Sequence, residues 1–174
     1  MEKAFTSGIY AGSFDPPTLG HLWVIEQGLR LFDRFTVLVG TNPKKTPMFT
    51  AQERVDLIRL AFAEYAGKTR RFSVTFLPQE DYLSDYAATC GATHLLRGIR
   101  NSTDLEYERG LQSFNSDRQP DISTIYLMPP QSLAEVSSSF AKGIIGPAGW
   151  EEALKNYVPE HILEAIIDKR SSDG

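Results

Sequence analysis

Short β-prone runs alternate with segments of helical periodicity through the first three quarters of the chain. Phe5 to Ala11 ("FTSGIYA"), 35–40 ("FTVLVG"), 71–77 ("RFSVTFL"), 93–98 ("THLLRG") and 122–128 ("ISTIYLM") predict five strands. The second is apolar throughout, as in a strand buried on both faces. Leu22, Ile25, Leu29 and Phe32 recur at helical spacing, and Val55, Ile58, Phe62 and Tyr65 repeat it behind a Thr50–Glu53 capping box in a helix over 50–65. Residues 81–91 predict a short helix closed by Gly91, and 102–118 a longer one. The tail reads as helix over 137–146, again over 150–157, and then in a segment that Pro159 opens, with Ile162, Ile166 and Ile167 on its apolar side.

Five strands interleaved with helices predict an α/β fold: a doubly wound five-stranded parallel sheet with C-terminal helices, in one domain over 1–174. Ligands of such sheets sit beyond the C-terminal ends of the strands, where the strand order reverses. The polar oddities of this sequence fall at those ends. "GSFDPPTLGH" (12–21) follows the first strand, "TNPKKTP" with Lys44 and Lys45 the second, and "PQEDYL" the third. Arg97 to Arg100 ("RGIR") ends the fourth, and "PPQSLAEVSSS" follows the fifth. Taken singly, each has an ordinary reading: a turn, solvated lysines, a structural histidine, a helix cap. Converging on one crevice, they make an anion site with several phosphates' worth of donors.

Charge and cysteine content narrow the class. The formal net charge is −4 with no long like-charge block, so neither nucleic acid nor a membrane is an expected partner. No apolar stretch reaches the ~20 residues of a membrane span, and the N-terminus lacks a signal-peptide core, which makes the cytoplasm the expected compartment. Cys90 is the only cysteine, so no intramolecular disulfide exists, and it reads as a small buried apolar side chain. Asp15, between Phe14 and Pro16, reads as a partner of the turn's own backbone. Asp104 fits a first-turn helix position or the site equally well, and Tyr107 reads as core.

"GSFDPPTLGH", "NPKKTPMFTAQERV", "LLRGIRNSTDLEYE" and "VSSSFAK" closely resemble phosphopantetheine adenylyltransferases of the nucleotidyltransferase superfamily, from about Gly8 to Ile167. The T-x-G-H signature marks only the superfamily; joined to K-K-x-P-M-F and R-G-I-R-x-x-x-D-x-E-Y-E it points to this family. The resemblance implies adenylyl transfer from ATP to 4'-phosphopantetheine, giving dephospho-coenzyme A and pyrophosphate. It implies His21, Lys45 and Arg97 as catalytic residues. ATP contacts are implied at Ser13, Phe14, His21, Gly98, Ile99, Arg100 and Glu108, and across the closing segment Leu133, Ala134, Glu135, Val136, Ser137, Ser138 and Ser139. Ser13, Lys45, Leu83 and Arg97 are implied for the acceptor. Gly12 and Gly20 would let the backbone approach the nucleotide. A magnesium ion carried with ATP is implied, with no metal held by side chains, and the family suggests a homohexamer.

Ala11 stands where the family usually has proline, Ser13 where it has threonine and Leu133 where an aromatic residue is common. Glu135 brings a carboxylate near the triphosphate segment and costs little if it faces solvent. Nicotinate mononucleotide adenylyltransferases usually carry histidine at the position of Thr18 and a late arginine motif that "VSSSFAK" lacks. A non-catalytic nucleotide-binding protein would have no use for His21, Lys45, Arg97 and Arg100 aimed at one crevice.

Overall fold

A computed structural model describes residues 4–41, 46–65, 71–78 and 81–172. The strands are β1 (Ser7–Gly12), β2 (Arg34–Val39), β3 (Phe72–Phe76), β4 (His94–Gly98) and β5 (Ser123–Leu127). All neighbouring pairs are parallel, in the order β3-β2-β1-β4-β5. The helices are α1 (Leu19–Leu31), α2 (Ala51–Ala61), α3 (Leu83–Thr89), α4 (Ser102–Arg118), α5 (Ser138–Ile144), α6 (Trp150–Leu154) and α7 (Glu160–Ser172), with a 3-10 turn at Gln131–Leu133. The doubly wound sheet expected from the alternation is the one observed. Its order reverses between β1 and β4, which places the switch point beside Gly12 and Gly98.

Strand alternation divides the core between the two faces of the sheet. Tyr10, Val37, Val39 and Leu96 pack with Val24 and Ile25 of α1 and with Val55 and Ile58 of α2. Their neighbours Ile9, Leu38 and Leu95 pack on the other face with Ala87, against Leu83 and Tyr86 of α3. A third cluster joins Phe49, at the entrance to α2, to Ala141, Leu154, Ile162 and Ile166 of the C-terminal helices. The tail is thereby tied to the segment that leads out of β2.

The helix ends follow local chemistry. Thr50 and Glu53 form the expected capping box, with Thr50 N–H donating to Glu53 Oε2 at 2.6 Å. At the end of α3, Gly91 has φ of 65°, its N–H donates to Ala88 O, and Ala92 N–H donates to Ala87 O. That is a Schellman turn, and it requires the left-handed residue that glycine supplies.

Four expectations are corrected. β1 begins at Ser7, leaving Phe5 outside it and exposed. α2 stops at Ala61, because Phe62 already completes its apolar stripe against Phe72; Tyr65 lies beyond a turn and is exposed. Cys90 is exposed, as the C-cap residue just past the end of α3. Tyr107 is exposed as well, because α4 leans on α3 and buries none of its own residues.

Candidate active site

Tyr10, Ser13, Gly20, His21, Val24, Gly98, Arg100, Pro129, Leu133, Val136 and the serines 137–139 line a cavity of about 340 Å³. These residues come from the C-terminal ends of β1 and β4, the first turn of α1 and the loop after β5. The cavity therefore sits at the switch point, and its volume suits a small ligand. Gly20 keeps it closed on one side: a β-carbon there would lie 3.1 Å from the Val136 carbonyl, so the bare helix start lets the loop after β5 come close. At Gly12 a β-carbon would meet the Phe14 ring at 2.9 Å. The space both glycines leave is filled by the protein itself.

The His21 ring is fixed in place and in tautomer. Thr18 N–H donates to Nδ1 at 3.1 Å, and the Thr18 hydroxyl oxygen lies 2.9 Å from the same nitrogen. A backbone N–H can only donate, so Nδ1 must accept, and in the neutral ring the proton sits on Nε2. Phe14 packs edge-to-face on the ring at 5.1 Å between centroids, with Tyr10 packed on Phe14 in turn. Burial, and then the nearby Arg100 charge, hold the imidazole down at about 4. His21 is thus a neutral hydrogen-bond donor on the cavity wall.

Two arginines are oriented by carboxylates. Arg100 Nε donates to Asp104 Oδ2 at 2.8 Å, while Asp104 N–H donates to Asn101, the N-cap of α4. Asp104 thus serves both as a first-turn residue and as the partner of a cavity arginine. Arg97 meets Glu108 through Nε, at 2.6 Å, and through Nη2; its Nη1 donates to the Ala11 carbonyl at 2.7 Å. Three of its five N–H groups are so engaged, which fixes the guanidinium plane and leaves two for a ligand. Arg97 and Glu108 line a second cavity of about 150 Å³ with Tyr82, Leu83, Leu95, Leu111 and Phe114. Strand β4 supplies Leu95 and Arg97 to this cavity and leads into Gly98 and Arg100 of the first.

Residues 9–143 match a family model described as cytidylyltransferase-like. Over 168 residues the chain is 44% identical to a phosphopantetheine adenylyltransferase of Neisseria meningitidis serogroup C, covering 95% of each. It is 44% identical to that of Chromobacterium violaceum, covering 94% of this chain and 96% of the relative, and 36% identical to that of Rhizobium etli, covering 96% and 99%. The chain belongs to the phosphopantetheine adenylyltransferase family. A Plasmodium falciparum nicotinic acid mononucleotide adenylyltransferase complexed with NaAD superposes with a TM-score of 0.68 over 95% of this chain and 96% of that one. At 16% identity, that likeness is one of fold.

Family membership makes the chain a nucleotidyltransferase, and its candidate residues divide between the two cavities. Ser13, His21, Gly98, Arg100, Leu133, Val136 and the three serines share the first. Leu83 and Arg97 share the second with Glu108, which therefore stands beside the acceptor candidates. Phe14 and Ile99 are buried behind the walls, and the Ile99 N–H is already bonded to the Leu127 carbonyl at 2.8 Å. Ala134 does not line the first cavity, and Glu135 is exposed. Ser138 Oγ donates to the Pro16 carbonyl at 2.8 Å, and Ser137 Oγ accepts from Phe140 N–H, so two of the three hydroxyls already serve the fold. Lys44 and Lys45 lie outside the described residues.

The sequence reading passed over Tyr10, Val24, Pro129 and Arg54. Tyr10 ends up on the wall because it sits near the end of β1 on the α1 side; burial pushes its phenol up, so it stays neutral. Arg54 carried a signal: it lies one helical turn before Ile58, on a face otherwise apolar.

The histidine geometry gives a prediction about protonation. In the free protein, NMR should show the His21 ring titrating near pH 4, with Nε2 protonated throughout the neutral range. The unfolded ring takes a proton below its ordinary 6.5 and the folded ring only near 4. Stability from this residue is therefore fully present above 6.5 and is lost as pH falls toward 4. A folded-state midpoint near 6.5 would mean a charged ring at mildly acidic pH and a different role.

Proposed function

We propose that this chain transfers the adenylyl group of ATP to 4'-phosphopantetheine, as one catalytic domain over 1–174 working in the cytoplasm. A phosphate oxygen of the acceptor attacks the α-phosphorus of ATP, the bond to the bridging oxygen of the β-phosphate breaks, and pyrophosphate leaves with that electron pair. The attacking phosphate is already anionic, so no general base is needed. Catalysis then rests on alignment and on neutralising charge.

The observation that carries this reading is the pair of cavities served by β4, one polar and one largely apolar at its wall. ATP fits the first, where the Nε2–H of His21 and the Arg100 guanidinium can meet the α-phosphate as it gains charge. The acceptor would reach the second, with its phosphate on Arg97 and on Lys45 and part of its arm along Leu83 and Leu95. Ser13, beside Arg97's partner Ala11, would touch both substrates. Magnesium arrives with the nucleotide in this reading. Among the described residues no group of three or more His, Cys, Asp or Glu side chains converges, and no step is assigned to the ion.

Among the described residues no helix is long and apolar enough to cross a membrane. The proposal also includes self-association into a homohexamer. Support comes from α4, whose Tyr107, Leu111 and Phe114 are exposed together with Met128. Light scattering on the native protein should give six copies, and a monomer at assay concentration would remove this part of the proposal.

Pyrophosphate release with ATP and a panel of acceptors tests the reaction. It should be fast with 4'-phosphopantetheine and at trace level with nicotinate mononucleotide, whose charged ring carboxylate would be set against the largely apolar wall of Tyr82, Leu83, Leu95, Leu111 and Phe114. Unphosphorylated pantetheine should fail, because it lacks both the nucleophile and the anchor. Comparable rates with nicotinate mononucleotide would overturn the acceptor while leaving adenylyl transfer standing.

Two variants should separate the roles of the cavities. His21→Ala should lower kcat by about 10²–10³ with substrate binding nearly intact, as expected for a donor that acts on transition-state charge. Arg97→Ala should raise the acceptor KM while calorimetric ATP binding stays near the parent value. Equal loss of ATP affinity in the Arg97 variant would mean that the two cavities have been assigned wrongly.

A further inference from the structure

One buried charge has no part in the reaction as described. Arg54 is 3% exposed, and its bonds among the described residues run to backbone carbonyls. Its Nη1 donates to Ser13 O at 2.5 Å and to Gly40 O at 3.0 Å, and its Nε to Thr50 O at 3.3 Å. Ser13 follows β1 and Gly40 follows β2, so the guanidinium joins the C-terminal ends of two neighbouring strands. Gly40 N–H, donating to Gly12 O at 2.8 Å, ties the same ends together.

What this clamp opposes lies one residue further on. Phe14 has φ of 50°, a left-handed conformation that costs a bulky residue roughly 1–2 kcal/mol. Its ring is fully buried, and both of its neighbours are held. Ser13 is held by Arg54. The Asp15 carboxylate accepts from Met48 N–H at 3.0 Å, from Phe49 N–H at 2.9 Å and from Lys142 Nζ at 3.0 Å. A strained backbone persists where its surroundings over-determine it in this way. The Ser13 carbonyl and the Phe14 N–H belong to one planar trans peptide, so pulling the carbonyl toward α2 turns the N–H the opposite way.

We propose that Arg54 is a positioning residue that sets the Ser13–Phe14 peptide, and so presents the Ser13 side chain to the substrate phosphates. The inference rests on the adenylyl-transfer reading. It adds that α2, which does not reach the nucleotide cavity, governs the geometry of its floor. The second clamp extends this control: Asp15 links the floor to the residues just after Lys45 and to α5, whose first turn lines the cavity. The guanidinium charge, met by carbonyl dipoles, also adds positive potential beneath an anion site.

Arg54→Met and Arg54→Lys distinguish positioning from simple support of the fold. Folding is read from the melting midpoint, ATP binding by calorimetry, and turnover by pyrophosphate release with 4'-phosphopantetheine. A folded Arg54→Met protein should bind ATP more weakly and lose about 10²-fold in kcat, the scale of a ~1 Å misplacement of reacting groups. Arg54→Lys should recover part of both, since an ammonium can still donate to the Ser13 carbonyl. Should the Met variant not fold, the Lys variant decides: a lowered melting midpoint with parental KM and kcat overturns the proposal. A folded Met variant with constants within about twofold of the parent overturns it as well. Failure of the parent to release pyrophosphate would instead count against the adenylyl-transfer reading, and ATP binding by the variants would still report on Arg54.

Discussion

Side by side in the sheet, β1 and β4 send the chain to opposite faces, and Ser13, His21, Gly98 and Arg100 take their places from that divergence. From β1 the chain turns through residues 13–18 into α1, which packs with α2 on one face. From β4 it passes through Arg100 and Asn101 into α4, which lies with α3 beyond the other. The crevice opens between the two departures, where the β1–β4 pairing stops at Tyr10 and Leu96, short of both strand ends. Its polar groups are therefore turned toward a ligand without cost to the hydrophobic layers behind them.

The crevice is rigid because its side chains are held from behind. Thr18 fixes the His21 tautomer, Asp104 steers Arg100, Glu108 steers Arg97 and Arg54 holds the Ser13 carbonyl. Each link is a hydrogen bond to a group already fixed by a helix or by the end of a strand. Reaction between two anions needs such preorganised donors, since donors that must first be reoriented contribute less to the transition state. The neutral state of His21 belongs to the same design. Burial and a neighbouring arginine keep the ring uncharged, so in the proposed reaction it would meet developing charge through one N–H without adding another cation to the wall.

The C-terminal helices join the entrance of α2 to the loop after β1. Their cluster packs on Phe49, while Lys142 of α5 reaches Asp15 and Ser138 reaches the Pro16 carbonyl. The loop between β1 and α1 is consequently gripped by α2 on one side and α5 on the other. A turn so held can keep Phe14 in a conformation it would not adopt alone.

Period-two and helical patterns were enough to determine the five strands, the order of the helices and the segments at which polar chemistry gathers. These features depend on residues near one another in the chain, as with the capping box at Thr50 and the glycine stop at Gly91. The motifs also carried the family. Three matters were left to tertiary structure: the division of the candidates between two cavities, the pairing of Glu108 with Arg97, and the burial of Arg54 behind Ser13. Each depends on contacts between residues far apart in sequence, and neither spacing nor composition reports which distant side chain meets a carbonyl. Tyr107 and Cys90 failed as core residues for the same reason. Whether an apolar residue is covered is decided by what packs over it, and among the described residues nothing covers Tyr107 or Cys90.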